Sequence, residues 1–309
     1  MMYVGFDTSN YTTSIAVYNG GKIVQRKKLL AVKQGERGLR QSDAVFQHVV
    51  NLPMLADSLA EEIDFKGNIK AVAVSTRPRN IEGSYMPCFL VGENAAVCAS
   101  DLCGVPLHKT SHQVGHILAA LYSVNRLDLI EKPFIAFHVS GGTTEALLVT
   151  PDANEIIKAE LIAESTDLKA GQAVDRAGVL MGLKFPCGAQ LDKMAQSSDK
   201  EYKIKPSMQG LNCSLSGVEN KVKKMLENGE KHNDIAKFVI SYICTTLDEM
   251  TSRLLEKYGD LPLVFAGGVM SNSIINKTLS GKYGAYFAAP EFSSDNAAGI
   301  AIYAYLKSL

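Results

Sequence analysis

A chain of 309 residues is long enough for two lobes, each with its own core. Apolar residues make up 46% and charged residues 21%, with no low-complexity segment, which fits a globular protein; the longest apolar run is far too short to span a bilayer. The 32 basic and 32 acidic residues cancel, so net charge lends no support to a nucleic-acid partner. The start, Met1-Met2-Tyr3-Val4-Gly5, has no basic lead and no small-residue cleavage site, so no signal peptide is expected. The six cysteines form no C-x-x-C pair and read as reduced, mostly buried thiols of a cytoplasmic protein.

The first element is a buried strand ending in Val4-Gly5-Phe6-Asp7-Thr8-Ser9, followed by Ser14–Tyr18, an Asn19-Gly20-Gly21 turn and Lys22-Ile23-Val24. The polar stretch from Gln34 to Gln41, with Gly35 and Gly38, reads as a flexible loop. Ala44, Val45, Val49, Leu52, Leu55, Leu59 and Ile63 then recur at helical spacing, with Pro53 expected to kink the helix or start a new one. Ala71–Ser75 is a short buried strand, Thr76 to Pro87 an irregular segment, and Cys88 to Cys103 a buried helix ended by Gly104. Val105–His108 reads as an edge strand, and strand-helix-strand alternation implies a largely parallel core sheet.

Thr110-Ser111 is a good N-cap pair for a helix from His112 to about Tyr122. After Pro133 the opening pattern recurs: strand Phe134–Val139, the small turn Ser140-Gly141-Gly142-Thr143-Thr144, strand Ala146–Val149, the turn Pro151–Asn154 and Ile156-Ile157. Two such hairpins about a domain apart point to a duplicated α/β unit whose small turns face a phosphate-bearing ligand. Helices are expected near Gly171–Met181 and Ala189–Gln196, a loop at Gly210 to Gly217, and a long helix from Asp234 to Lys257. Strand Pro262–Ala266 enters Gly267-Gly268-Val269, a strand Tyr286–Ala288 follows, and Asp295 with Asn296 opens the C-terminal helix.

His112 and His116, at i and i+4 on a helix, offer both imidazoles on one face to a single metal ion. Gln113 stands where the H-E-x-x-H protease pattern needs glutamate, so peptidase chemistry lacks its base. Asp295 is one candidate for a third ligand. Asp7 ends the first strand, as either a metal- or water-orienting carboxylate or a turn residue. Asp175, among apolar neighbours, is paired with an arginine or binds a ligand hydroxyl. Asn272 reads as a cap or a contact to sugar or base, and Gly188 as a turn glycine or a place where a ligand lies on backbone.

The run Asp7-Thr8-Ser9, the pair His112 and His116, Ser140-Gly141-Gly142, Gly171 to Asp175, Phe185-Pro186-Cys187-Gly188, Ser214-Leu215-Ser216-Gly217, Ala266 to Asn272 and Pro290 to Asn296 together resemble the catalytic subunit of tRNA threonylcarbamoyladenosine synthases, formerly called O-sialoglycoprotein endopeptidases. The resemblance spans nearly the whole chain. It implies an α/β, actin-like ATPase fold of the sugar-kinase type, with two duplicated ribonuclease-H-like lobes and a central cleft. The expected lobes are 1–110, joined by the C-terminal helix 295–309, and 111–294. It implies a divalent metal, iron or zinc, held by His112, His116 and Asp295. It implies an adenine nucleotide or threonylcarbamoyl-adenylate cradled by His138, Val139, Ser140, Gly141, Gly142, Asp175, Gly188 and Asn272. The implied reaction is threonylcarbamoyl transfer to N6 of an adenosine in tRNA, with a smaller homologous partner subunit.

The chain departs from that pattern at several places. Asn10 replaces a cysteine, and Tyr11 and Thr12 replace an acidic pair. Val114 replaces a glutamate, Arg77-Pro78-Arg79-Asn80 a Gly-Pro-Gly loop, and Thr143 a histidine. Lost carboxylates change charge and proton-transfer capacity, so the competing expectation is a non-catalytic nucleotide- and metal-binding paralogue serving as a partner protein.

Overall fold

The computed structural model describes residues 1–9, 11–32 and 39–309. Asn10 and positions 34–38 of the expected polar loop lie outside the described residues. Two compact units emerge, one of residues 1–131, 150–159 and 291–309, the other of residues 132–149 and 160–290. The expected boundary at 110/111 therefore differs from the packing. The helix that starts at His112 belongs to the first unit, because Gly115 on it sits directly against Gly299 of the C-terminal helix, where a Cβ on either would overlap the other helix.

The first unit is a five-stranded mixed sheet. Strand β1 (Met2–Asp7) pairs antiparallel with β2 (Thr12–Tyr18), which pairs antiparallel with β3 (Ile23–Leu29). On its other side β1 runs parallel to β4 (Ile69–Arg77), and β4 parallel to β5 (Leu107–Ser111) at the edge. Helices α1 (Gln41–Ala60), α2 (Phe89–Cys103) and α3 (His112–Ser123) complete the unit with the C-terminal helix, Ala298–Leu306. Val4, Phe6, Ile15, Val17, Val72 and Val74 fill the core, and their continuous apolar runs reflect strands covered on both faces. Gly5 lets the C-terminal helix lie on β1, since any Cβ there would meet the backbone of Ala301.

The second unit repeats the arrangement. Its central strand β6 (Phe134–Val139) pairs antiparallel with β7 (Thr144–Asp152), beyond which lies β8 (Ile156–Glu164). A small hairpin, β9 (Ser207–Gln209) and β10 (Asn212–Ser214), stands apart. Strand β11 (Leu263–Ala266) runs parallel to β6, and β12 (Tyr286–Phe287) parallel to β11. The order β12-β11-β6-β7-β8 is the order β3-β2-β1-β4-β5 read from the opposite end, with β6 in the place of β1. Helices α4 (Ala170–Leu180), α5 (Gly188–Gln196), α6 (Gly217–Glu227), α7 (His232–Tyr258) and α8 (Ser273–Tyr283) complete it.

Several expectations change in detail. Both sheets are mixed rather than largely parallel, because each opens with a hairpin before its first crossover. Pro53 starts no new helix: α1 runs through it, and the ring sits on an exposed face where water can take the carbonyl it leaves unbonded. Only one face of α2 is buried, and Cys98 and Cys103 on it are exposed. Helix α6 begins where the expected loop ends at Gly217, in a stretch for which the sequence raises no expectation; its lysine-rich face masks the buried Val218, Val222 and Met225. Among the described residues, no helix is long and apolar enough to cross a membrane.

Candidate functional site

Helix α3 begins where β5 ends. Ser111 caps it, its hydroxyl accepting from the Val114 N–H at 3.3 Å, and the Gln113 N–H reaches the Pro78 carbonyl at 3.0 Å. The cap fixes the first turn, so His112 and His116 present their imidazoles one turn apart. Their Nε2 atoms face each other at 2.9 Å. Asp295, in the bend before the C-terminal helix, brings Oδ1 to 3.2 Å from His116 Nε2 and 3.6 Å from His112 Nε2. Ligands about 2.1 Å from one ion stand about 3.0–3.4 Å apart in octahedral or tetrahedral geometry, so these three atoms fit a single divalent cation. All three lie within 4.8 Å of one another.

Asp7 sits behind this set rather than in it. Its side chain is fully buried; Oδ2 is 3.0 Å from His112 Nδ1 and accepts from the Ser9 hydroxyl at 2.8 Å, while Ser75 donates to Oδ1. A carboxylate on the far nitrogen of a ligating histidine fixes its tautomer and ring orientation. Without a cation, burial opposes charging His112, but the charges and hydrogen bonds of Asp7 and Asp295 prevail and raise its pKa to about 10. Burial likewise opposes ionisation of Asp295, yet hydrogen bonds and charge from His112 and His116 hold its carboxyl well below the usual range. Asp295 does not cap the last helix, whose N-cap is Ala297; one residue earlier, the Asn296 carboxamide oxygen accepts from the Ala298 N–H at 3.0 Å.

The second unit holds a cavity of about 630 Å³ lined by Gly141, Gly171, Asp175, Gly188, Gly268 and Asn272, among others. Four of the predicted nucleotide residues, Gly141, Asp175, Gly188 and Asn272, therefore come together. His138, Val139, Ser140 and Gly142 are not among its lining residues. Val139 is buried in the sheet, and the Ser140 hydroxyl accepts from the Gly142 and Thr143 N–H groups, so that turn spends those donors on itself. Gly171 closes against the turn, where a Cβ would stand 2.6 Å from the Gly141 nitrogen.

Two predicted residues also carry structural duties. Asp175 accepts from the Cys187 N–H at 2.8 Å, which holds the Phe185–Gly188 turn at the rim; no arginine pairing is needed to account for it. Asn272 caps α8, its Oδ1 accepting from Ile274 and Ile275 at 3.1 Å. Sequence reasoning missed Asp192, Lys193 and Gln196, which line the cavity from α5. It also missed Asp167, which explains the Ser214-Leu215-Ser216 run. Burial opposes its charge, but Ser214 (2.5 Å), the Ser216 and Leu215 N–H groups and the Leu168 N–H all donate to it and hold its carboxyl well below the usual range.

The profile of the TsaD family, described as tRNA N6-adenosine threonylcarbamoyltransferase, matches residues 23–302. The protein of that name from Christiangramia forsetii is 30% identical over 324 aligned residues, covering 99% of this chain and 93% of the relative. Among solved structures, HypF from T. kodakarensis superposes with a TM-score of 0.61 at 14% identity, covering 99% of this chain and 48% of that one. A ROK hexokinase from Thermus thermophilus covers 100% of both chains with a TM-score of 0.54 at 12% identity. At such identities the likeness concerns the fold alone, the actin-like ATPase type with a duplicated α/β unit.

Proposed function

The chain belongs to the tRNA N6-adenosine threonylcarbamoyltransferase family, and from that premise we propose that His112, His116 and Asp295 hold its divalent cation, while the cavity at Gly141, Asp175, Gly188 and Asn272 receives the nucleotide part of threonylcarbamoyl-adenylate. Its reaction is acyl transfer to N6 of an adenosine in tRNA, not peptide hydrolysis. The relatives carry the transferase name, so the transferase reading stands ahead of the non-catalytic paralogue. The observation that supports the site assignment most is the convergence of two imidazoles and a carboxylate from distant parts of the chain on one point.

In the proposed reaction the N6 amine attacks the carbamoyl carbon, a C–N bond forms, the bond from that carbon to the adenylate phosphate oxygen breaks, and one amine proton leaves. A two-histidine, one-carboxylate set suits iron(II) or zinc, which supplies Lewis-acid polarisation of an acyl or phosphoryl oxygen. Asp7 holds the His112 ring so that Nε2 stays available as a ligand atom. Gly268, which lines the cavity with no side chain, lets a nucleotide approach its backbone closely.

A smaller homologous subunit is the proposed partner, and α1 offers it a face: Phe46, Val49, Val50 and Met54 are all exposed, at i, i+3, i+4 and i+8. A tRNA substrate supports a cytoplasmic location. Reconstitution with that subunit, threonylcarbamoyl-adenylate and unmodified tRNA, scored as modified adenosine, tests the reading. The parent protein is expected to give product and one bound metal per chain, with both lost in His112→Ala and Asp295→Ala. A metal-free parent that makes no product where an authentic enzyme does would end it.

A further inference from the structure

The two oxygens of Asp295 have different neighbours. Oδ1 faces the imidazoles, 3.2 Å from His116 Nε2. Oδ2 accepts from the Thr12 hydroxyl at 3.3 Å. Thr12 is only 3% exposed and sits at the start of β2. It occupies one of the two positions at which the sequence lacks the expected acidic pair, and there it supplies a neutral donor where a carboxylate would have repelled Asp295.

The segment carrying Asp295 is tied down from the next strand. Lys27 on β3 donates from Nζ to the Ser294 hydroxyl at 2.8 Å and to the Glu291 carbonyl at 3.0 Å. Ser294 directly precedes Asp295. In the β2–β3 register, Thr12 stands opposite Leu29 and Lys27 opposite Ser14, so adjacent strands reach the same bend at two points. Asn296 closes the bend from within, donating to the carbonyls of Phe292 and Ser294. The bend lies between the short helical turn Pro290–Ser293 and the C-terminal helix. Its geometry therefore depends on these tethers more than on helical hydrogen bonds of its own.

We propose that Thr12 and Lys27 are positioning residues for the metal carboxylate: Thr12 holds Oδ2, so that Asp295 presents the single oxygen Oδ1 to a divalent cation, and Lys27 fixes the bend that carries it. This rests on the reading of His112, His116 and Asp295 as the ligand set. The consequence is a one-oxygen carboxylate ligand. Compared with a two-oxygen bite, it leaves one more coordination position for a substrate oxygen or water, which is what a catalytic rather than a structural metal site requires.

The probe is cobalt(II), titrated into the metal-free full-length protein and followed by its visible absorption and by competition with a chelator. Residues that orient a ligand from behind typically contribute tenfold or more to metal affinity, so Thr12→Val is expected to bind cobalt(II) about tenfold more weakly. Its absorption should also weaken, as the freed carboxylate turns to bind through both oxygens and the coordination number rises. Thr12→Ser, which restores the hydroxyl, recovers affinity and spectrum. Lys27→Met, a change at an exposed side chain, is expected to lose affinity by about the same factor while the melting temperature of the metal-free protein stays near that of the parent. It carries the test by itself if Thr12→Val does not fold.

If the parent binds one cobalt(II) and these variants match it in affinity and spectrum, the positioning role is overturned and the ligand set survives. If the parent binds none, or His116→Ala binds as well as the parent, the ligand set falls and the positioning role falls with it.

Discussion

Asp7 illustrates how a residue's job is decided by what it faces. It ends β1, and its carboxylate is engaged by the Ser9 and Ser75 hydroxyls and by His112 Nδ1. Asp7→Asn keeps the shape and removes the charge. Two effects are expected. The His112 pKa in the metal-free protein, raised to about 10 in part by Asp7, falls toward its ordinary value, measurable by NMR titration of the imidazole. Metal affinity drops about tenfold to a hundredfold, since a carboxamide also permits the wrong tautomer. An unchanged affinity with an unchanged imidazole titration sinks the assignment.

His48 is a second buried imidazole with the opposite behaviour. Nδ1 meets the Thr13 hydroxyl at 2.8 Å, and Nε2 has no partner among the described residues. Burial pushes its pKa down to about 4, against the pull of Asp7. A folded-state value below the unfolded one means that the unfolded chain binds the extra proton as pH falls. Stability from keeping His48 neutral is thus fully present above about pH 6.5 and declines steadily toward pH 4, by about 3 kcal/mol in all. His48→Asn keeps the acceptor for Thr13. It is expected to be less stable at pH 7, from the space left, but to lack that part of the acid slope in urea unfolding between pH 7 and 4. Parallel slopes for parent and variant would refute it.

At the scale of elements, close backbone contacts set the sites. Gly115 of α3 and Gly299 of the C-terminal helix touch so closely that a Cβ on Gly299 would overlap the Gly115 carbonyl. One helix carries His112 and His116; Asp295 directly precedes the other. Gly299→Ala must push the helices apart, costing about 1–3 kcal/mol in the manner of an overpacked core. Metal affinity is expected to fall more than tenfold, because Asp295, the proposed third ligand, moves with the helix. In the second unit Gly171→Ala presses on Gly141 and should weaken nucleotide binding, measured by calorimetry, while metal affinity stays unchanged.

Much at this scale was legible in sequence, because it is local: the Ser111 cap, the i, i+4 histidines, the Gly104 stop in a left-handed conformation (φ 63). What escaped was non-local. Asp167 is latched by residues 47 to 49 positions further on. The contact of Thr12 with Asp295 joins opposite ends of the chain. No periodicity or spacing encodes such pairs; the family resemblance, not local pattern, brought Asp295 to the histidines.

At the scale of the whole molecule the duplication was legible, since the repeated strand-turn-strand pattern heads two sheets of the same order. The exposed apolar stripe of α1 was not, because its periodicity in sequence looks the same whether a helix faces its own core or a partner. Leu52 and Leu59 of α1 are buried, whereas Phe46, Val49, Val50 and Met54 stand on exposed ground. An amphipathic helix with one apolar face on its own sheet has no internal reason for a second. Association with the proposed smaller homologous subunit would supply one. A large apolar side chain that is a hot spot at the centre of such a contact contributes at least about 2 kcal/mol, or about thirtyfold in Kd. Phe46→Glu and Met54→Glu should each weaken association by at least that factor in analytical ultracentrifugation, because each leaves a charge facing apolar surface. Neither lies at the proposed metal ligands or the proposed nucleotide cavity, so cobalt(II) affinity and thermal stability should match the parent. Variants that bind the subunit as tightly as the parent would move the partner surface elsewhere on the molecule.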